Sequence, residues 1–104
     1  VSQYISLHYF ENLYLDNIAE QFGTSPKYFS NYFKKAFGVN FVEYLNKLRI
    51  SHAKEYLAST TLTISEIRDK VGFTSSSSFA GTFRKYCGIS ANEYRAYCNK
   101  KAAP

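Results

Sequence analysis

Ser30, Asn31 and Lys34 follow Lys27 by three, four and seven residues, the spacing that gathers side chains on one face of an α-helix. Such a face has a definite chemistry. An ammonium group can donate to guanine O6 and N7, a carboxamide can pair bidentately with adenine, and a hydroxyl can donate or accept. Lys35, beside the face, suits a phosphate oxygen. Any solvated helix face is also polar, so a base-reading role depends on what holds this stretch in place.

The holding elements are written in the neighbouring residues. Phe29, Phe33 and Phe37, four apart, form an apolar stripe opposite the polar face. Ser25 is placed as an N-cap, with Pro26 at the first helical position, where its missing N–H costs nothing. Gly38 stops the helix and Val39 can pack back on its last turn. The spacing therefore predicts a helix over about 26–37. Ahead of it, Ile18, Ala19 and Phe22 form another helical stripe, ended by Gly23 as a left-handed turn residue. Two helices joined by a short glycine-containing turn make a helix-turn-helix, whose second helix can enter a DNA major groove.

The unit occurs twice. Residues 15–44, LDNIAEQFGTSPKYFSNYFKKAFGVNFVEY, are echoed by residues 64–94, ISEIRDKVGFTSSSSFAGTFRKYCGISANEY. Ile18 pairs with Ile67, Phe22 with Val71 and Gly23 with Gly72. After one inserted residue, Phe73, the register continues: Thr24 with Thr74, Ser25 with Ser75, Phe29 with Phe79, Phe33 with Phe83, Lys34 with Arg84, Lys35 with Lys85, and Gly38 with Gly88. The run Ser75–Ser78, which in isolation reads as a linker, thus occupies the start of a second recognition helix over about 76–87. The polar face of that helix is Ser77, Ala80, Gly81 and Arg84. Only Arg84 can make a strong directional contact, and Gly81 costs the helix about 1 kcal/mol relative to alanine. Serine hydroxyls and a helix N-terminus suit phosphate oxygens, with Arg84 and Lys85 adding charge. This helix is expected to anchor more than it specifies.

The remaining segments complete an all-α fold of seven helices. Thr63 with Glu66, and Ser90 with Glu93, form capping boxes ahead of two further helices. Between the copies, Asn40 and Glu43 cap FVEYLNKLRISHAKEYLAS, in which Phe41, Leu45, Leu48, Tyr56 and Leu57 keep helical spacing. At about 1.5 Å per residue this segment makes a rod of roughly 27 Å. An opening helix is expected over residues 2–10. The 104 residues are read as one domain: a first subdomain over about 1–39, a linker helix over about 40–59 and a second subdomain over about 60–104.

The net charge of +5 is unevenly placed. Residues 1–23 carry Glu11, Asp16 and Glu20 and no base. Lys27, Lys34, Lys35, Lys47 and Arg49 face only Glu43 over residues 24–50, and Arg84, Lys85, Arg95, Lys100 and Lys101 face only Glu93 after residue 73. Two positive blocks separated by neutral sequence fit a polyanion touched in two places. Cys87 and Cys98 have neither a disulfide framework nor metal spacing and read as small apolar residues in a reducing compartment. No apolar run is long enough for a membrane span, and the lack of methionine suggests a piece of a longer protein. His8 and His52 have no acid or cysteine at a catalytic spacing, and no phosphate loop or nucleophile elbow occurs, so no enzymatic activity, metal or cofactor is expected. Two other classes compete with duplex binding. One is single-stranded nucleic-acid binding on the 10 Tyr and 9 Phe, though most of these fall at core spacing. The other is a helical protein-interaction module whose DNA face has degenerated.

The stretches IAEQFGTSPKYFSNYFKKAFG, LNKLRISHAKEYL and ISEIRDKVGFTSSSSFAGTFRKYCGISANEYR resemble the DNA-binding domain of the AraC family of bacterial transcription regulators, over about residues 3 to 98. The resemblance implies two helix-turn-helix subdomains joined by a long helix, with both recognition helices in successive major-groove segments of double-stranded DNA. Family base contacts would fall on Lys27, Ser30 and Asn31 and on Ser76, Ser77, Ala80 and Gly81. Phosphate contacts would fall on Ser25, Lys34, Lys35, Ser75, Arg84 and Lys85. RNA polymerase, an N-terminal sensory or receiver domain and a cytoplasmic location are implied with them. Two positions depart from the pattern. Arg68 stands where a small residue is usual, as Ala19 is in the first copy, and is expected to bend its stem to solvent and loosen the second unit. Ala91 replaces a usual proline, which bears on rigidity.

Overall fold

The computed structural model describes residues 2–11 and 13–102 of the chain; of the basic residues counted above, the Lys101 side chain lies outside what is described. Seven helices follow in order: α1 Ser2–His8, α2 Leu15–Gln21, α3 Pro26–Phe37, α4 Phe41–Ser59, α5 Ile64–Val71, α6 Ser76–Cys87 and α7 Ala91–Ala102. The described residues contain no strand. Helices α3 and α6 fall on the ranges that the spacing predicts. Local chemistry fixes their ends. Ser25 and Ser75 each accept from the backbone N–H three residues on, Asn40 does the same for Glu43, and both capping boxes close. These bonds hold the Glu66 and Glu93 carboxyls below the usual carboxylate range, chiefly through the backbone N–H groups of Thr63 and Ser90.

Two cores form, and α4 belongs to both. Phe41 and Leu45 join Ile5, Ile18, Ala19, Phe29 and Phe33 in the first. Ile50, Ala53 and Leu57 join Ile67, Val71, Phe73, Phe79, Phe83 and Ala91 in the second. At 3.6 residues per turn, the two sets of α4 positions lie about 130° apart around the helix. The rod therefore presents one side to the first unit and another to the second. Arg95 in α7 closes its far end, donating from Nε to Leu57 O at 3.2 Å, from Nη1 to Leu62 O at 2.5 Å and from Nη2 to Thr60 O at 3.2 Å. A cation there satisfies carbonyls left without helical partners.

The structure departs from the sequence reading at several points. Phe22, matched in the repeat to the fully buried Val71, is 43% exposed. Helix α2 ends at Gln21, and Phe22 packs edge-on to Tyr4 and stacks with Phe29 at the surface. Phe37 is half-buried and stacks on Phe33. Helix α1 stops at His8, and the carbonyls of Tyr9 and Glu11 in the loop that follows accept from Arg49 of α4. Both histidines serve packing: His8 stacks on Tyr4, and His52 lies parallel to Tyr9 with ring centroids 4.0 Å apart. Half-burial pushes the Cys87 thiol up, away from a reactive thiolate.

Glycine is required most strictly at Gly72, where φ is +100° and an added Cβ would lie 2.9 Å from Phe10 O. Gly38 also has positive φ, but an added Cβ there meets open space. In urea melts Gly38→Ala should therefore cost about 1–2 kcal/mol, the usual strain of a left-handed alanine. Gly72→Ala should cost clearly more, because the Phe10 backbone must also move. Equal costs would mean that the Phe10 contact is not tight in solution.

Candidate nucleic-acid interface

On α3, burial of Phe29 and Phe33 turns the other side of the helix to solvent. Lys27, Asn31, Lys34 and Lys35 are exposed and Ser30 is half-buried, so the predicted reading face is brought together. Among the described residues, the side chains of Lys27, Asn31, Lys34 and Lys35 have no hydrogen-bond or ion-pair partner in the protein. A face with unspent donors can turn all of them to a ligand. The Ser25 hydroxyl oxygen accepts from Tyr28 N at 3.2 Å, and its own O–H is left to donate outward. Sequence spacing missed Tyr28 and Tyr32, which are 66% and 47% exposed and line a shallow hollow with Asn31 and Lys35. Their signal was available, since helical spacing places both between Asn31 and the phenylalanine stripe, where Tyr32 also touches Phe29.

The face of α6 is differently committed. Ser76, Ser77, Ala80, Gly81, Arg84 and Lys85 are all exposed, as the repeat register predicts. Ser75 accepts from Ser78 N at 3.1 Å. However, Arg84 Nη2 already lies 3.4 Å from Glu93 Oε1, and Ser76 Oγ accepts from Arg68 Nη1 at 2.5 Å. The Arg84–Glu93 pair is exposed on both sides, so it is worth little and can be exchanged for a phosphate.

Arg68 corrects an expectation. Its stem does reach toward the surface, but the guanidinium does not loosen the second unit. It bonds Asp69 Oδ1 through Nε at 2.9 Å and Ser76 through Nη1, tying α5 to the first residue of α6. The hydrogen bond to Asp69 raises the pKa of Arg68 and lowers that of the carboxyl. The corresponding positions in the first unit, Ala19 and Pro26, can make no such bond. A serine in the run that looked like a linker is thus the acceptor for a large residue placed where the first unit has a small one. Ala91 is buried against the second core at the start of α7.

The positive blocks also divide. Arg49 and Arg95, counted with them in the sequence, spend their guanidinium donors on backbone carbonyls. Lys85 and Lys47 both lie over the Tyr86 ring, at 5.5 and 5.9 Å. The charge left for a polyanion is concentrated on α3 and on the last turn of α6.

Comparison with known proteins agrees with this geometry. Residues 18–97 match the model of a helix-turn-helix domain family. The chain is 40% identical over 95 residues to an uncharacterized helix-turn-helix-type transcriptional regulator of Staphylococcus aureus, covering 91% of this chain and 13% of that protein. It therefore spans about an eighth of the length of such relatives. Among solved structures, the C-terminal domain of AraT, a response regulator from Geobacillus stearothermophilus, superposes with a TM-score of 0.89 at 38% identity, covering 91% of this chain and 79% of that one. A transcriptional regulator of the AraC-type DNA-binding-domain proteins from Chromobacterium violaceum gives 0.84 at 29% identity, covering 99% and 89%. The chain belongs to the AraC-type helix-turn-helix family of DNA-binding domains.

Gly81 offers a test of how α6 is used. An added Cβ at this helical glycine meets nothing within 4 Å, so the fold itself has no need of it. Gly81→Ala should raise stability by about 1 kcal/mol in thermal or urea melts. It should at the same time weaken duplex binding, because the α6 backbone can no longer approach as closely. A stabilised variant with unchanged DNA affinity would remove Gly81 from the interface.

Proposed function

We propose that the chain binds a specific double-stranded DNA sequence for transcription regulation, with α3 reading bases and α6 mainly holding the backbone. The supporting observation is the contrast between the two outward faces. Lys27, Asn31, Lys34 and Lys35 stand unpartnered on α3, whereas on α6 Ser76 and Arg84 are already engaged within the protein. In this reading Lys27, Ser30 and Asn31 contact base edges in the major groove. Ser25, Lys34 and Lys35 contact phosphates on the first segment, and Ser75, Arg84 and Lys85 do so on the second. Ser76, Ser77, Ala80 and Gly81 line the second groove and carry little sequence information. The elongated shape, 52 × 24 × 23 Å, supports contact with two successive groove segments, which recur about every 34–36 Å.

The domain would work as part of a longer bacterial protein, in the cytoplasm and alongside RNA polymerase. Likeness to the C-terminal domain of a response regulator supports a partner domain that receives a phosphoryl signal. No catalytic role is proposed for any residue. Among the described residues no helix is long and apolar enough to cross a membrane, and no group of three or more His, Cys, Asp or Glu could hold a metal ion.

Base reading and phosphate holding make different predictions. Asn31→Ala should relax preference at one base pair, at a cost of about 1–3 kcal/mol for the preferred base. Lys35→Ala should weaken all duplexes alike and reduce the slope of log affinity against log salt by about 1. Titrations of both variants against a set of single-base-pair substituted duplexes, at two or more salt concentrations, separate the roles. An unchanged base preference in Asn31→Ala would displace the reading face from this side of α3.

A further inference from the structure

Arg49 sits on α4 between the side that serves the first core and the side that serves the second. Its Nε donates to Tyr9 O and its Nη2 to Glu11 O, both at 2.7 Å. Its guanidinium also lies 5.6 Å from the centre of the Phe73 ring. Tyr9 and Glu11 belong to the loop after α1. Phe73 is the residue inserted in the second copy just before α6, and it packs on Phe79 of that helix. One side chain thus joins a first-unit loop to the root of the second recognition helix. Independent contacts cross the same seam. Phe10 backbone lies against Gly72, Tyr9 packs on both cores, and its ring stacks flat on His52.

We infer that Arg49, bridging the Tyr9–Glu11 loop and Phe73, fixes the angle between the two units and so sets the spacing of the two DNA segments that α3 and α6 occupy together. A continuous helix fixes the separation of the units along its axis. It resists roll and bending of one unit about the other less well, because each unit holds only its own stretch of α4. The planar fork pins the Tyr9–Glu11 loop to α4 at two carbonyls while the same guanidinium faces Phe73. The loop whose Phe10 lies against Gly72 is thereby held in one place relative to the second unit, as a single ammonium could not hold it. The consequence for recognition follows from linkage of two binding modules. A rigid pair gains affinity only when both sites match its span, and a loose pair gains it over a range of spans. The inference rests on the duplex binding proposed above, but the brace itself can be tested without DNA.

The test compares the wild-type chain with Arg49→Met, which keeps an unbranched apolar stem and removes both donors. Arg49→Lys serves as a second variant that keeps the charge and is the milder change should Arg49→Met fail to fold. Residual dipolar couplings should fit one alignment for the whole wild-type chain, and two different alignments for the two units in either variant. Gel titrations would use duplexes whose two contact blocks are separated by the preferred spacing or by one base pair more or less. Each such step moves the second block by about 3.4 Å and about 36°. Wild type should lose about tenfold or more in affinity per step and Arg49→Met about threefold or less, with binding to a single block unchanged. A single shared alignment in both variants, or an undiminished spacing penalty, overturns the inference. Wild type that binds no duplex would count against the proposed function, while the dipolar couplings would still decide the brace.

Discussion

One helix serving two cores is the constraint on which the rest of this protein depends. Because the buried positions of α4 shift around its axis between Leu45 and Ile50, the two units pack on different sides of one rod. Its nineteen residues are ordered by packing at both ends, Phe41 and Leu45 in the first core and Ile50, Ala53 and Leu57 in the second. Each short helix of a unit is then too small to stand alone and is held by its caps and by that shared rod. Arg95 finishes the rod and Arg49 braces its middle. Both donate to backbone carbonyls, and Arg49 adds a contact with the Phe73 ring.

The repeat is kept on its inward side and differs on its outward side. The inward residues are kept in type: Phe29 and Phe33 on one side, Phe79 and Phe83 on the other, each pair buried and in tilted ring contact. Burial tolerates little change there, since removing a core ring costs several kcal/mol. The outward residues carry no such penalty, and a lysine, serine and asparagine on α3 are answered on α6 by serine, alanine and glycine. Under the proposed reading, an asymmetric pair of this kind divides labour without any change in architecture: α3 supplies discrimination, and α6 supplies binding area and charge.

Most of the helices were legible in the sequence because the signals that form them are local. An N-cap reaches three residues, a stop glycine acts on one turn, and a stripe repeats every three or four residues. The recognition helices, the linker helix and the capping boxes follow from those signals alone. What was not legible depended on partners far along the chain. Arg49 bonds carbonyls 38 and 40 residues away, and Arg95 reaches back 33 to 38 residues. A carbonyl has no residue identity, so nothing in the sequence marks it as a target. Phe22 misled because its repeat partner Val71 is buried, whereas Phe22 follows the end of α2 and meets Tyr4 and Phe29 at the surface. Arg68 misled for the opposite reason, since its acceptor, Ser76, sits inside a run whose composition suggested no structure at all.

The most direct test of the account is selection from a random pool of double-stranded DNA with the isolated chain, reading out the enriched motif and its extent. The account predicts a sharply specified block bound by α3 and, about one helical turn away, a weaker block at a fixed distance bound by α6. Failure to enrich any duplex sequence, at low salt as well as at physiological salt, would contradict it.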